Sequence, residues 1–403
     1  MKVAGVGFVA LVEDIRMAKR TGRGKAHWTV MVLMGADNLQ TEIDLTQSAI
    51  DDIKEMSDVG ADSDDLQIVA HLDQKQALGG PVRLHFRSKA KSGRSQPPEK
   101  LPIAPGEGTS GPAVLENFIV WAKANYPAEH YLLVLWGHAY RLAFNRDPQT
   151  PDGLDFPELR KVLEGTNDGR KMDIVAFDSC NVSLIETAYE LRNVAGYLVA
   201  SQFLDPLPGW PYDKILTKIH DSRDHFAGPG EEGPKDFGRA IVSQFARHYD
   251  GEDSVTMTML DLLHVDEIAE LIGELHTELT LAAADDPTEL AVLKDIFQQS
   301  QVPIRQPSVD LVTFCWYLLF FSRSDEVKTA AAAVGQLLLR PKNPFVLAHA
   351  RTDLFVGMLQ GVSILAPNVG GRLDLGKLRS EYDKLQFSRH WGNLVFALAA
   401  SNT

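Results

Sequence analysis

The sequence predicts an α/β fold, an open, doubly wound and mostly parallel sheet with helices on both faces, followed by a largely helical C-terminal region. Two observations carry this. Runs that are apolar throughout, such as WTVMVLM (28–34), LLVLW (132–136) and MDIVAF (172–177), look like strands buried on both faces. Segments with helical spacing alternate with those runs, as βαβ units require.

Taken in order, residues 1–26 read as an extension or short helix with a basic tail. The apolar run Val3–Val12 is broken by Glu13 and Asp14, and no small-residue cleavage site follows, so a signal peptide is not expected. Strand 28–34 comes next, then a helix from Thr41 to about Ser57 and a strand at 66–73. Residues 79–87 read as a strand or hairpin arm. Between Ser88 and Pro112 the chain is dense in Gly, Pro, Ser and Lys, which predicts a long exposed loop.

A helix at 113–126 is stopped by Pro127, and strand 130–138 follows it. After a polar loop (139–153) come a helix at 155–165, a strand at 172–179, a helix at 182–193 and a strand at 196–201. Beyond residue 260 the pattern turns helical, with segments at 264–282, 287–300, 309–322 and 326–340. FVLAHA (345–350) and GVSILAP (361–367) form a strand-like pair, and a last helix lies near 375–386. The expected organisation is therefore an extension (1–26), a sheet domain (27–262) and a mainly helical region (263–403) packed on it.

Composition sets limits. The chain has 403 residues, 44% of them hydrophobic and 23% charged, enough for a sizeable core without disulfide or metal staples. Its net charge of −14 argues against nonspecific binding to nucleic acid or to an anionic membrane. With two cysteines and no disulfide framework, a reducing, cytoplasmic setting is expected.

In an open α/β sheet, sites lie outside the carboxyl ends of the strands. His138 and Cys180 both fall there, each just past a predicted strand. A thiol at the start of a helix gains thiolate character from the helix N-terminus, and a histidine on another strand can protonate a leaving group. Backbone N–H groups at Cys180 and Ala139 could receive an oxyanion. Asp178, two residues before the cysteine, shares its side of the strand and could attract a cationic side chain. Spacing alone leaves plainer readings open: an inert cysteine, a structural histidine, an aspartate capping the next helix. Cys315, in VDLVTFCWYLLF, reads as core.

The motifs sharpen this. YPAEHYLLVLWGHAY (126–140) and DIVAFDSCNVSLIETAYEL (173–191) resemble the histidine and cysteine motifs of the clostripain family of cysteine peptidases, relatives of caspases, gingipains and legumain. WTVMVLMGADNLQ (28–40), YLVASQFLDPLPGWPYDKIL (197–216), LQGVSILAPN (359–368) and YDKLQFSRHWGNLVFAL (382–398) resemble further family segments in order, so the likeness covers about residues 27–400. The resemblance implies a caspase-like sheet, a dyad of His138 and Cys180, and cleavage after Arg or Lys with Asp178 in the pocket. Asp205 is a second pocket candidate. Where the family has Gly-His-Gly, Ala139 replaces the second glycine, at a position where positive φ would be costly.

The resemblance also implies synthesis as a precursor that is cut in loops near the site, by itself or by an activating protease, or control by a regulatory protein. Arg94 and Lys100 in one basic loop, and Arg141 and Arg146 in another, are the candidate processing positions; exposed basic residues that merely solvate a loop are the plainer reading. No cofactor is required for the chemistry. Calcium is an option in such relatives, but DDIKEMSDVGADSDD (51–65) fits no defined calcium loop and reads as solvated charge. Rival readings are a catalytically weakened homologue acting as a binding or scaffold protein, and a nucleotide-binding protein, although no glycine-rich phosphate loop follows any predicted strand.

Overall fold

A computed structural model describes residues 25–37, 43–61, 65–101, 103, 111–140, 142–144, 153–221, 232–251, 254–302, 307–342, 344–352, 358–366 and 374–400. The expected N-terminal extension lies, but for its last two residues, outside them. The strands are β1 (Ala26–Gly35), β2 (Leu66–Asp73), β3 (Val82–His85), β4 (Glu99–Leu101), β5 (Ala128–Trp136), β6 (Ala139–Tyr140), β7 (Ala143–Phe144), β8 (Leu154–Asp155), β9 (Met172–Asp178), β10 (Ala195–Ala200), β11 (Thr256–Asp261), β12 (Ser308–Asp310), β13 (Val346–Arg351) and β14 (Ser363–Leu365). Nine of them form one sheet in the order β13-β11-β10-β9-β5-β1-β2-β3-β4. The five central strands, β10 to β2, are mutually parallel, while β3 and β4 on one edge and β11 and β13 on the other are added through antiparallel pairings, so that β3 and β11 run against the central strands.

The helices are α1 (Thr46–Val59), α2 (Pro112–Asn125), α3 (Phe156–Gly165), α4 (Ile185–Leu191), α5 (Tyr212–Asp221), α6 (Glu232–Tyr249), α7 (Val265–Asp285), α8 (Pro287–Gln299), α9 (Leu311–Phe321), α10 (Asp325–Leu338), α11 (Leu375–Tyr382) and α12 (Asn393–Ala400). Several starts are written in the sequence. Asp155 and Glu158 form a reciprocal capping box at α3, and the side chains of Asp286, Asp310, Ser324 and Asp374 each accept an N–H at their helix starts.

Strand alternation builds a core on each face of the sheet. Val30, Val32, Met34, Val134, Trp136 and Ala176 face the layer of α1, α5 and α6. Met31, Leu33, Leu133, Leu135, Val175 and Phe177 face α2, α3, α4 and the C-terminal helices. Burial of this kind contributes about 25 cal/mol per Å² of apolar surface removed from water.

Three regions differ from expectation. The supposed loop 88–112 contains β4, a three-residue edge strand paired to β3. Between residues 202 and 262, where no element was read, lie α5, α6 and β11. The signal in α6 was obscured by Gly233, Pro234 and Gly238. Gly238 has a packing reason, since a Cβ there would meet the Met259 side chain at 2.4 Å. Finally, the strand-like pair of the C-terminal region does not pair with itself. β13 joins the main sheet through β11, and β14 pairs with β12.

Candidate active site

The site is set by the register of two neighbouring parallel strands. Trp136, the last residue of β5, pairs with Asp178, the last residue of β9, and the Gly137 N–H extends the ladder by donating to the Asp178 carbonyl at 3.1 Å. His138 and Cys180 each stand two residues past that level pair, on strands about 4.8 Å apart. His138 and Cys180 therefore both follow the carboxyl edge of the sheet, at the ends of neighbouring strands.

The His138 ring is held by a group that the sequence could not announce. Its Nε2 lies 3.4 Å from the Ile43 carbonyl. A carbonyl only accepts, so Nε2 carries the proton and Nδ1 keeps a lone pair. Burial lowers the His138 pKa, with the Ile43 contact opposing it, so the ring is neutral at neutral pH. Gly137 is the residue that needs glycine's freedom here, with φ +141. Ala139 is not among the residues with positive φ, so alanine in place of the family's glycine costs no backbone strain.

Cys180 sits in a sharp turn. Asn181 takes a left-handed conformation, φ +58, which Asn tolerates better than most residues. The turn is zipped to the segment leaving β10: Asn181 N–H donates to Phe203 O, and Val182 and Ser183 N–H both donate to Ser201 O. This brings the Asp205 N–H to the Cys180 sulfur at 3.3 Å. The expected help from a helix N-terminus is absent, because α4 begins only at Ile185. Burial instead pushes the thiol up to about 12, with the carboxyls of Asp205 and Asp178 adding to the shift. The resting pair is a thiol and a neutral imidazole.

Beneath the thiol lies a buried acidic floor. Asp178 Oδ2 accepts from the Trp210 N–H at 3.3 Å and the Tyr212 hydroxyl at 3.0 Å. Burial pushes Asp178 up to about 7, while those two donors pull it back. Asp52, read from the sequence as solvated, is instead 1% exposed and accepts from Trp136 Nε1 at 2.6 Å. Burial, then the charge of Asp178, pushes it up to about 9. Gly209, φ +69, closes over both; a Cβ there would lie 3.3 Å from either Asp178 oxygen and 3.5 Å from Asp52 Oδ2. Asp205 also joins the cluster. Its carboxyl is buried, and burial with the Asp178 charge raises it well above the carboxylate range, opposed by hydrogen bonding from Ser201 and the Ser179 N–H. Among the described residues, neither Asp52, Asp178 nor Asp205 is in a salt bridge.

The remaining candidates are scattered. Arg94 is exposed in the 88–98 loop, where its carbonyl accepts from Ala90 N–H at 2.9 Å. Lys100 is exposed but paired with Leu84 in the β3–β4 ladder. Arg141 and Arg146 lie outside the described residues. Cys315 is fully buried within α9. Among the described residues no group of three or more His, Cys, Asp or Glu could hold a metal ion, and Asp52 of the acidic stretch points into the protein. No described helix is long and apolar enough to cross a membrane. Ile43, Asp52, Gly209 and Tyr212 were missed by sequence reasoning. For Asp52 a signal existed, since Asp52 and Met56 lie on one helical face, four residues apart.

Known proteins share this fold. Clostripain from Hathewaya histolytica is 27% identical over 224 residues, covering 47% of this chain but only 42% of clostripain's own length. The inactive zymogen of a C11 protease from Parabacteroides distasonis superposes with a TM-score of 0.67 at 18% identity, over 92% of this chain and 99% of that one. Iotapain, a secreted C11 cysteine protease from Bacteroides thetaiotaomicron, gives 0.63 at 15% identity, over 94% and 100%. At such identities these two structures establish the shared caspase-like fold. The profile of the clostripain family matches residues 32–337. On that match over most of its length, the chain belongs to the clostripain family of cysteine peptidases.

Proposed function

We propose that the chain is a cysteine endopeptidase that cleaves after Arg or Lys, with Cys180 as nucleophile and His138 as general base and acid. The observation that carries this is the level pairing of Trp136 with Asp178, which sets the two side chains at adjacent strand ends. As the peptide binds, the Cys180 thiol gives its proton to His138 Nδ1 and the sulfur attacks the carbonyl carbon. N–H groups of Cys180 and Ala139 receive the oxyanion, each worth about 3 kcal/mol. The imidazolium then protonates the departing amine, leaving a thioester. His138 next takes a proton from water, which attacks the thioester, and returns that proton to the Cys180 sulfur as the acid departs.

Preference for Arg or Lys is supported by the acidic floor. Buried carboxyls with no cation beside them are costly, and a substrate ammonium or guanidinium would supply the missing partner. Precursor control is suggested by the likeness to the inactive zymogen of a C11 protease. The loop around Arg94 suits processing better than Lys100, because a scissile bond must be drawn into extended form without first leaving a ladder. The test is cleavage of arginyl and lysyl peptides by wild type and by Cys180→Ala. Turnover confined to wild type is the expected result, and turnover retained by the variant refutes the assignment.

A further inference from the structure

The turn that carries Cys180 does not stand on the sheet alone. Its partner, the strap 201–205 that leaves β10, turns the Gln202 side chain away from the sulfur into the C-terminal region. There its amide is fully used. Nε2 donates to Asp310 Oδ2 at 3.0 Å and to Ser363 Oγ at 2.9 Å, and Oε1 accepts from the Gly361 N–H at 2.5 Å. Asp310 Oδ2 accepts in addition from the Gln360 N–H at 2.7 Å.

The turn itself is tied to the same place. The Ser363 N–H donates to the Ser183 carbonyl at 2.9 Å, and Ser183 Oγ donates to the Gly361 carbonyl at 2.6 Å. Gln202, Asp310, Ser363 and Ser183 are each at most 2% exposed. From the sheet side, Thr256 Oγ1 accepts the Gln202 N–H at 2.9 Å. Two short strands more than a hundred residues downstream thus grip both the turn and its strap. A buried amide with every hydrogen bond satisfied fixes a single arrangement, and losing it strands several polar partners at once.

We propose that Gln202 is a positioning residue for the Cys180 turn, locking the strap that holds Asp205 against the sulfur to Asp310, Gly361 and Ser363. This inference rests on the peptidase reading, because what it positions is the nucleophile of that reaction. It makes the C-terminal region part of the catalytic unit. A purely structural role would cost stability and leave the folded fraction fully active.

The experiment compares wild type with Gln202→Leu, Gln202→Glu and the milder Ser363→Ala, by steady-state kinetics on a lysyl peptide and by amide hydrogen exchange. Misplacing a nucleophile by about 1 Å costs about 10²-fold. Gln202→Leu is expected to lose about that in kcat while KM changes little, and Ser363→Ala to lose less. Gln202→Glu sets a second carboxyl against Asp310, whose pKa burial already raises, so its kcat relative to wild type at the same pH should recover as pH falls and one of the two is protonated. Exchange should quicken in 179–183 and 201–205 while β1 and β5 stay protected. The exchange readout does not depend on turnover. If wild type cleaves no basic peptide, the peptidase reading fails while selective exchange still supports the grip. Unchanged kcat with unchanged exchange in the two segments would overturn the proposal, as would loss of protection spread evenly over the sheet.

Discussion

The two cysteines make an instructive pair. Cys315 lies in α9 between α8 and α10, fully buried, and Cys180 lies partly exposed in a polar turn at the carboxyl edge of the sheet. Burial pushes both thiols far above their ordinary value. Acidity therefore does not separate them. What separates them is company: Cys180 stands in a sharp αL turn by an acidic floor, with His138 past the end of the neighbouring strand, whereas Cys315 has apolar helices around it. On the proposed function, reactivity would come from the neighbour that takes the proton, since burial favours the protonated thiol.

That comparison is broken most severely by removing the proton acceptor. His138→Ala should lower kcat by about 10²–10⁴-fold, measured on an arginyl or lysyl peptide, without a comparable change in melting temperature. A loss below tenfold would mean that Cys180 finds its base elsewhere. Next in size, Asp178→Asn should lower kcat/KM for basic substrates by about 10-fold or more while sparing peptides with a neutral residue at that position. An unchanged ratio between the two substrate types would separate the acidic floor from specificity.

Cys315→Ala tests the other member of the pair. It should cost about 1–2 kcal/mol of stability by denaturant unfolding and leave kcat/KM intact. A different kind of effect, one of pH dependence, is expected at Asp52. Its folded pKa is raised by burial, so its contribution to stability is fully present below about pH 4 and declines as pH rises toward about 9. Asp52→Asn should abolish that decline, so its melting temperature gains on wild type progressively between those values. Parallel curves for the two proteins would place Asp52 in an ordinary, ionised environment.

Much of this was legible because the central strands are buried on both faces. Continuous apolar runs at 28–34, 132–136 and 172–177 can hardly be read otherwise, and the last two end just before His138 and Asp178. His138, Cys180 and Asp178 were visible for that reason and because their motifs resemble a family's. The elements missed were those whose local signal is weak: a three-residue edge strand, a helix holding two glycines and a proline, and β11 with its polar threonines. Ile43 was missed because it acts through a backbone carbonyl, which every residue has. Asp52 was misread because a charge run suggests solvent, and only the tertiary fold turns one carboxyl of that run inward onto Trp136. The Gln202 grip could not be seen either, as its partners lie 108 to 161 residues away.

The most direct measurement of the central claim is covalent. An irreversible peptide ketone carrying lysine at the reacting position should label the chain once, on Cys180, by peptide mass mapping. His138→Ala should slow that labelling by about 10²-fold or more. Labelling of Cys315, or labelling of Cys180 at the same rate with and without His138, would contradict the account.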